Sequence, residues 1–186
     1  ASNNRAAYWG GIGMTGKNGS LAWTTGIGAG RLPDQGGSGT ANLGRGSDLS
    51  IYSAYVDVTS DRFTFLGEYL QGDVERGTPA GSDAKPRGYF LQPSVFVTES
   101  IEVVLRYSSL NTDGRGVTLA DVIRSSPTGG VMNRSEEWYA GANLYLRGND
   151  LKYQLGVTSA KTRETTAGAP AEAEALGVRS QLQVQF

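Results

Sequence analysis

"EEWYAGANLYLRGNDLKYQLGVTSAKTRE", residues 136–164, holds two extended segments around one tight turn, and its period decides the fold. Before "GND" at 148–150, Trp138, Ala140, Ala142, Leu144 and Leu146 alternate with Glu137, Asn143, Tyr145 and Arg147. After it, Leu151, Tyr153, Leu155 and Val157 alternate with Lys152, Gln154 and Thr158. A period of two sends successive side chains to opposite faces of a strand, so this stretch is a hairpin with one apolar and one polar face.

The same pattern recurs outward from it. Tyr52, Ala54, Val56 and Val58 alternate with Ser53, Tyr55 and Asp57, and Ile101, Val103, Leu105 and Tyr107 alternate with Glu102, Val104 and Arg106. No stretch sustains the spacing of a packed helix. Nine strands are expected, near residues 5–16, 21–32, 47–60, 62–74, 87–99, 101–113, 136–148, 150–164 and 176–186, in a single all-β domain spanning 1–186. The 27 glycines against 6 prolines suit a chain with many turns.

The connections alternate in length. Short ones are "KNGS" (17–20), "SD" (60–61), "ES" (99–100) and "GND"; long ones are "PDQGGSGTANLGRG" (33–46), "ERGTPAGSDAKP" (75–86), residues 114–135 and "TTAGAPAEAEA" (165–175). Tight turns at one end and long loops at the other describe an antiparallel up-and-down meander, the habit of outer-membrane barrels with short periplasmic turns and longer extracellular loops. Greek-key crossings in a sandwich would not sort loop lengths so regularly.

Alternation alone leaves the direction of the apolar face open: inward in a soluble barrel, outward in a membrane barrel. Three features favour outward. They are the loop asymmetry, strands of roughly 11–14 residues where soluble ones run to ~5–6, and aromatic residues near strand ends on the apolar face. Trp23, Phe63, Phe65, Tyr89, Trp138, Tyr153 and Phe186 are these aromatics, placed where membrane-interface girdles would sit. The closing "GVRSQLQVQF" (177–186) has Val178, Leu182, Val184 and Phe186 on one side and Arg179 with the glutamines on the other.

Composition narrows the function. The chain has no Cys and no His, which removes disulfides, thiol nucleophiles, thiolate and imidazole metal ligands and the usual general base. No tight carboxylate constellation is visible, so neither catalytic nor metal residues nor a cofactor are expected. A net charge of −1 makes no case for nucleic acid. No run reaches the ~18 apolar residues of a membrane-spanning helix, but a transmembrane strand needs only ~9–11 residues with alternate ones apolar.

"SDRFTFLGEYLQGDVERG" (60–77), "GYFLQPSVFVTESIEVVLRYSSLNTDGRG" (88–116), the 136–164 stretch and the closing "RSQLQVQF" (179–186) resemble, in order and spacing, the C-terminal half of the phosphate-selective porin O/P family. The resemblance covers about residues 50–186; residues 1–46 fit only as a generic hairpin. It implies a Gram-negative outer-membrane porin, usually a trimer of roughly sixteen-stranded barrels passing small hydrophilic solutes or anions such as phosphate. Membrane lipid, lipopolysaccharide and the barrel assembly machinery are the implied partners, with Phe186 as an assembly signal read by that machinery.

Nine strands depart from the even number normal in bacterial single-chain barrels, since the first and ninth run in the same direction. The expectation is a fragment, or one chain of a barrel completed by other strands; the family count would place about seven strands ahead of these. A tenth strand within "GVTLADVIRSSPTGGVM" (116–132) is the rival explanation. The expected lumen-facing charges are Asp57, Glu68, Glu102 and Glu137 against Arg106, Arg147, Lys152 and Arg179. Either these acids and bases oppose one another across the lumen and set up a transverse field, or they pair locally and solvate the wall.

Some motifs mislead. "GIGMTG" (11–16) fits the G-x-G-x-x-G dinucleotide pattern, but a turn and another strand follow it where a helix is needed. "NGS" and "NRS" have the form of glycosylation sequons and carry little weight in a bacterial protein. "APAEAEA" (169–175) reads as an acidic extracellular loop, and 114–135, with "VTLADVI", as a loop that folds into the lumen, caps the wall or meets another subunit. Three functions stand: a passive diffusion channel, a structural component of a multi-chain barrel complex, and a barrel enzyme, the last weakened by the lack of His.

Overall fold

A computed structural model describes residues 6–33, 48–75, 83–113, 133–148, 150–163 and 172–185. These form nine strands: β1 (Tyr8–Asn18), β2 (Leu21–Leu32), β3 (Asp48–Ser60), β4 (Phe63–Glu75), β5 (Arg87–Phe96), β6 (Ile101–Asn111), β7 (Arg134–Arg147), β8 (Leu151–Arg163) and β9 (Glu172–Val184). They lie in one sheet in chain order, each antiparallel to the next. With eight reversals β1 and β9 run in the same direction, and among the described residues each is paired along one edge only.

Local chemistry sets the turns. At the β1–β2 turn Asn18 pairs with Leu21 around Gly19, whose φ of +60° is a left-handed conformation that glycine adopts without a Cβ clash. Asp61 takes the equivalent position, at φ +48°, between β3 and β4. Between β5 and β6 the Thr98 hydroxyl accepts from the Ile101 amide at 3.0 Å, so β5 ends at Phe96, short of residue 99. All four short turns lie at one end of the sheet and the long connections at the other.

Beyond the strand ends the ladder continues by single bonds. The Thr112 amide donates to the Asn133 carbonyl at 2.8 Å and the Asn133 amide to the Arg163 carbonyl at 2.9 Å. Val74 and Ala84 bridge between β4 and β5.

Burial is the reverse of a soluble protein's. Leu176 and Val178 are 79% and 74% exposed, and Ile12, Leu155, Val157 and Leu182 are exposed too, whereas Glu102, Glu137, Asn143, Thr158 and Thr162 are buried. Register puts the first set on one face and the second on the other. A lone sheet buries side chains only by curling over them, so the polar face is concave and the apolar face convex. That resolves the ambiguity left by the alternation: the apolar face points away from the enclosed side, as in a barrel whose outer solvent is lipid.

The nine expected strands are present with shifted ends. The largest shift is β9, which begins at Glu172 rather than near 176. Lys161 bonds Glu174 at 2.8 Å and Arg163 bonds Glu172 at 3.0 Å, extending β8–β9 pairing into the stretch expected to be an acidic loop. "GIGMTG" lies inside β1, paired to β2 with no helix beside it. The suggested tenth strand, residues 114–132 of the long connection, and Phe186 lie outside the described residues.

Candidate functional site

The polar groups of β5 to β9 converge on the concave face. Gly141 of β7 and Gly156 of β8 are register partners, and a Cβ on either would collide with the hydroxyl end of the Tyr139 ring. Glycine here makes room for an aromatic ring against the backbone. The Arg106 guanidinium sits 5.5 Å from the Tyr139 ring centroid, a cation–π distance.

Arg106 also donates to Glu137 Oε1 at 3.4 Å, and Arg179 donates to Glu137 Oε2 at 2.9 Å. Glu137 is 5% exposed, so its charge is held in place by both guanidinium groups. Among the described residues two bases meet this one acid, an excess of one positive charge. Gln92, Arg106, Tyr139, Gln154, Arg179 and Gln181 line the adjoining recess of about 220 Å³.

Nearer the short turns, Glu102 is 8% exposed and takes three hydrogen bonds from neutral donors: Ser94 Oγ at 2.6 Å, Asn143 Nδ2 at 2.7 Å and the Tyr145 hydroxyl at 2.7 Å. Gln154 Nε2 donates to Asn143 Oδ1 at 2.7 Å, carrying the network from β5 to β8. Lys152 Nζ stands 5.4 Å from the Tyr145 ring centroid. Three donors occupy most of this carboxylate's acceptor sites and tie it into the wall. Among the described residues no three carboxylates gather into a metal cradle.

The model of the family "Phosphate-selective porin O and P" matches residues 16–186. The chain belongs to that family. No curated protein and no solved structure matches it. Members of the porin O and P family are bacterial outer-membrane channels rather than enzymes, so this porin's place is the outer membrane. The match reaches back to Gly16 near the end of β1, and so takes in β2, which the resemblance to residues 50–186 had left generic.

The porin's expected lumen charges separate into groups. Arg106, Glu137 and Arg179 come together, Glu102 is gathered into the neutral network, and Lys152 flanks it. Arg106 and Arg179 therefore meet a local acid instead of facing one across an opening. Asp57 on β3 and Glu68 on β4 share the same face by register, half-buried, and join no ion pair among the described residues. Arg147 breaks the alternation, because the register slips between Tyr145 and Arg147 and sets it, exposed, opposite Leu151 on the apolar side.

The expected interface aromatics share the convex face in two groups. Trp23, Phe63, Phe65 and Tyr153 lie toward the short turns, and Tyr89 and Trp138 toward the long connections. Sequence reasoning placed Asn143 and Tyr145 on the polar face without giving them a part. It passed over Tyr139, whose only signal was an aromatic among polar-face positions followed by glycine at 141.

Proposed function

We propose that this porin is a passive diffusion channel for small hydrophilic solutes, anions such as phosphate among them, with the concave face of β5–β9 as part of its water-filled wall. The carrying observation is the Arg106–Glu137–Arg179 cluster, which leaves a positive charge beside the recess lined by Tyr139, Gln154 and Gln181. A fixed charge on a low-dielectric wall biases which ions enter. The convex aromatics would anchor the sheet at both interfaces, and a trimer in a Gram-negative outer membrane is the assembly that the family resemblance suggests.

Planar-bilayer recording tests the proposal. The wild-type protein should give discrete conductance steps, and R106Q/R179Q should move the reversal potential in a salt gradient toward cation preference. Steps with an unchanged reversal potential would remove the arginines from selectivity. No steps at all would favour the second reading, a structural component of a multi-chain complex, which draws support from the unpaired edges of β1 and β9 among the described residues.

A further inference from the structure

A second recess, about 390 Å³, opens on the convex face at the long-connection end of β4–β7. Two register rows build it. Tyr69, Tyr89, Ser109 and Glu136 form one; Arg87, Asn111 and Arg134 form the next, closer to the strand ends. The aromatic rings of Tyr89 and Tyr107 stand 5.9 Å apart, and those of Tyr107 and Trp138 4.6 Å apart, so a ladder of rings descends from the recess along the apolar face.

Charge makes this recess unlike the rest of that face. Arg87 and Arg134 are exposed and form no ion pair among the described residues. Register also sets Arg134 directly opposite Arg163 on β8, and Arg163 takes Glu172 at 3.0 Å as its acid, so that carboxylate is turned away from Arg134. Glu136 does not relieve Arg134, because its carboxylate is directed to Arg163 at 3.8 Å.

We propose that this recess binds the phosphate-bearing headgroup of an amphiphile in the outer leaflet, with Arg87 and Arg134 on a phosphomonoester and the acyl chains along Tyr89, Tyr107 and Trp138. The proposal rests on the convex face being the lipid face. Each half of the site matches one half of such a molecule: guanidinium groups suit phosphate oxygens, and a ring ladder continuous with the apolar face suits the chains. A free phosphate ion would use the arginines and leave the ladder without a role. The long-loop end is the extracellular end in such barrels, which selects the outer leaflet.

The test is native mass spectrometry of the folded protein in detergent, titrated with bis-phosphorylated lipid A, with lipid A stripped of phosphate, and with inorganic phosphate as competitor. The phosphorylated lipid should be retained about tenfold better than the stripped one, a preference that R87Q/R134Q abolishes and that R87Q or R134Q alone reduces. R106Q/R179Q, on the opposite face, should leave it unchanged. Equal retention of the two lipids, a preference surviving R87Q/R134Q, or inorganic phosphate displacing the lipid as well as excess lipid A does would overturn the proposal. Should the double variant fail to fold, as read by heat-shifted gel mobility, the single variants decide. Channel steps recorded on the same preparations keep the outcomes apart: intact steps with no lipid preference refute this site alone, and absent wild-type steps refute the pore.

Discussion

Arg179 on β9 reaches over β8 to Glu137 on β7, closing Nη2 to Oε2 at 2.9 Å. The intervening strand permits it, because β8 presents Gly156, Thr158 and Ala160 to that face and none of them is bulky enough to bar the guanidinium. A long side chain at 156 or 160 would force Arg179 out toward the opening.

Glu137→Gln keeps the shape of the side chain but removes its charge and leaves one acceptor oxygen where each guanidinium group had its own. Reversal potentials should shift toward anions, opposite in sign to R106Q/R179Q. That double variant strips a carboxylate of 6% side-chain exposure of both arginines, so unfolding in denaturant should show a loss of about 1–3 kcal/mol.

Gly156→Ala places a methyl group against the Tyr139 ring. Unfolding should show a loss of about 1–3 kcal/mol, most of it recovered when Tyr139→Ala is added, because the two changes share one contact. Simple additivity of the two would mean that the ring does not rest on the glycine.

Glu102→Ala removes the acceptor shared by Ser94, Asn143 and Tyr145. Leaving those donors without it should cost about 1–3 kcal/mol and speed amide hydrogen exchange across β5–β7 more than across β1–β3. Uniform protection would show that the network does not hold these strands together.

Val178, midway along β9 and 74% exposed, discriminates lipid from water. In lipid vesicles Val178→Arg should cost about 2–4 kcal/mol. Gln181→Arg, on the concave face, should cost little and alter ion selectivity. Equal tolerance at both positions would contradict a convex face in lipid.

Strand number, order and faces were legible in the sequence because each rests on a local period of two, and loop lengths fixed which end was which. Boundaries set by cross-strand chemistry were less legible. Glu172 and Glu174 read as an acidic loop until Lys161 and Arg163 are seen opposite them. The slip that displaces Arg147 is a one-residue irregularity that alternation cannot register. Least visible was the Arg106–Glu137–Arg179 cluster, since its members lie 31 and 42 residues apart in the chain and meet only once β6 to β9 have curled. Which partners these charges meet depends on curvature and on what β8 leaves empty.

The shared direction of β1 and β9 constrains what can complete the ring. Copies of this nine-stranded sheet standing the same way up would meet β9 to β1 in parallel at every seam, so a single antiparallel ring cannot be made from such copies alone. Whatever spans the gap must supply an odd number of strands.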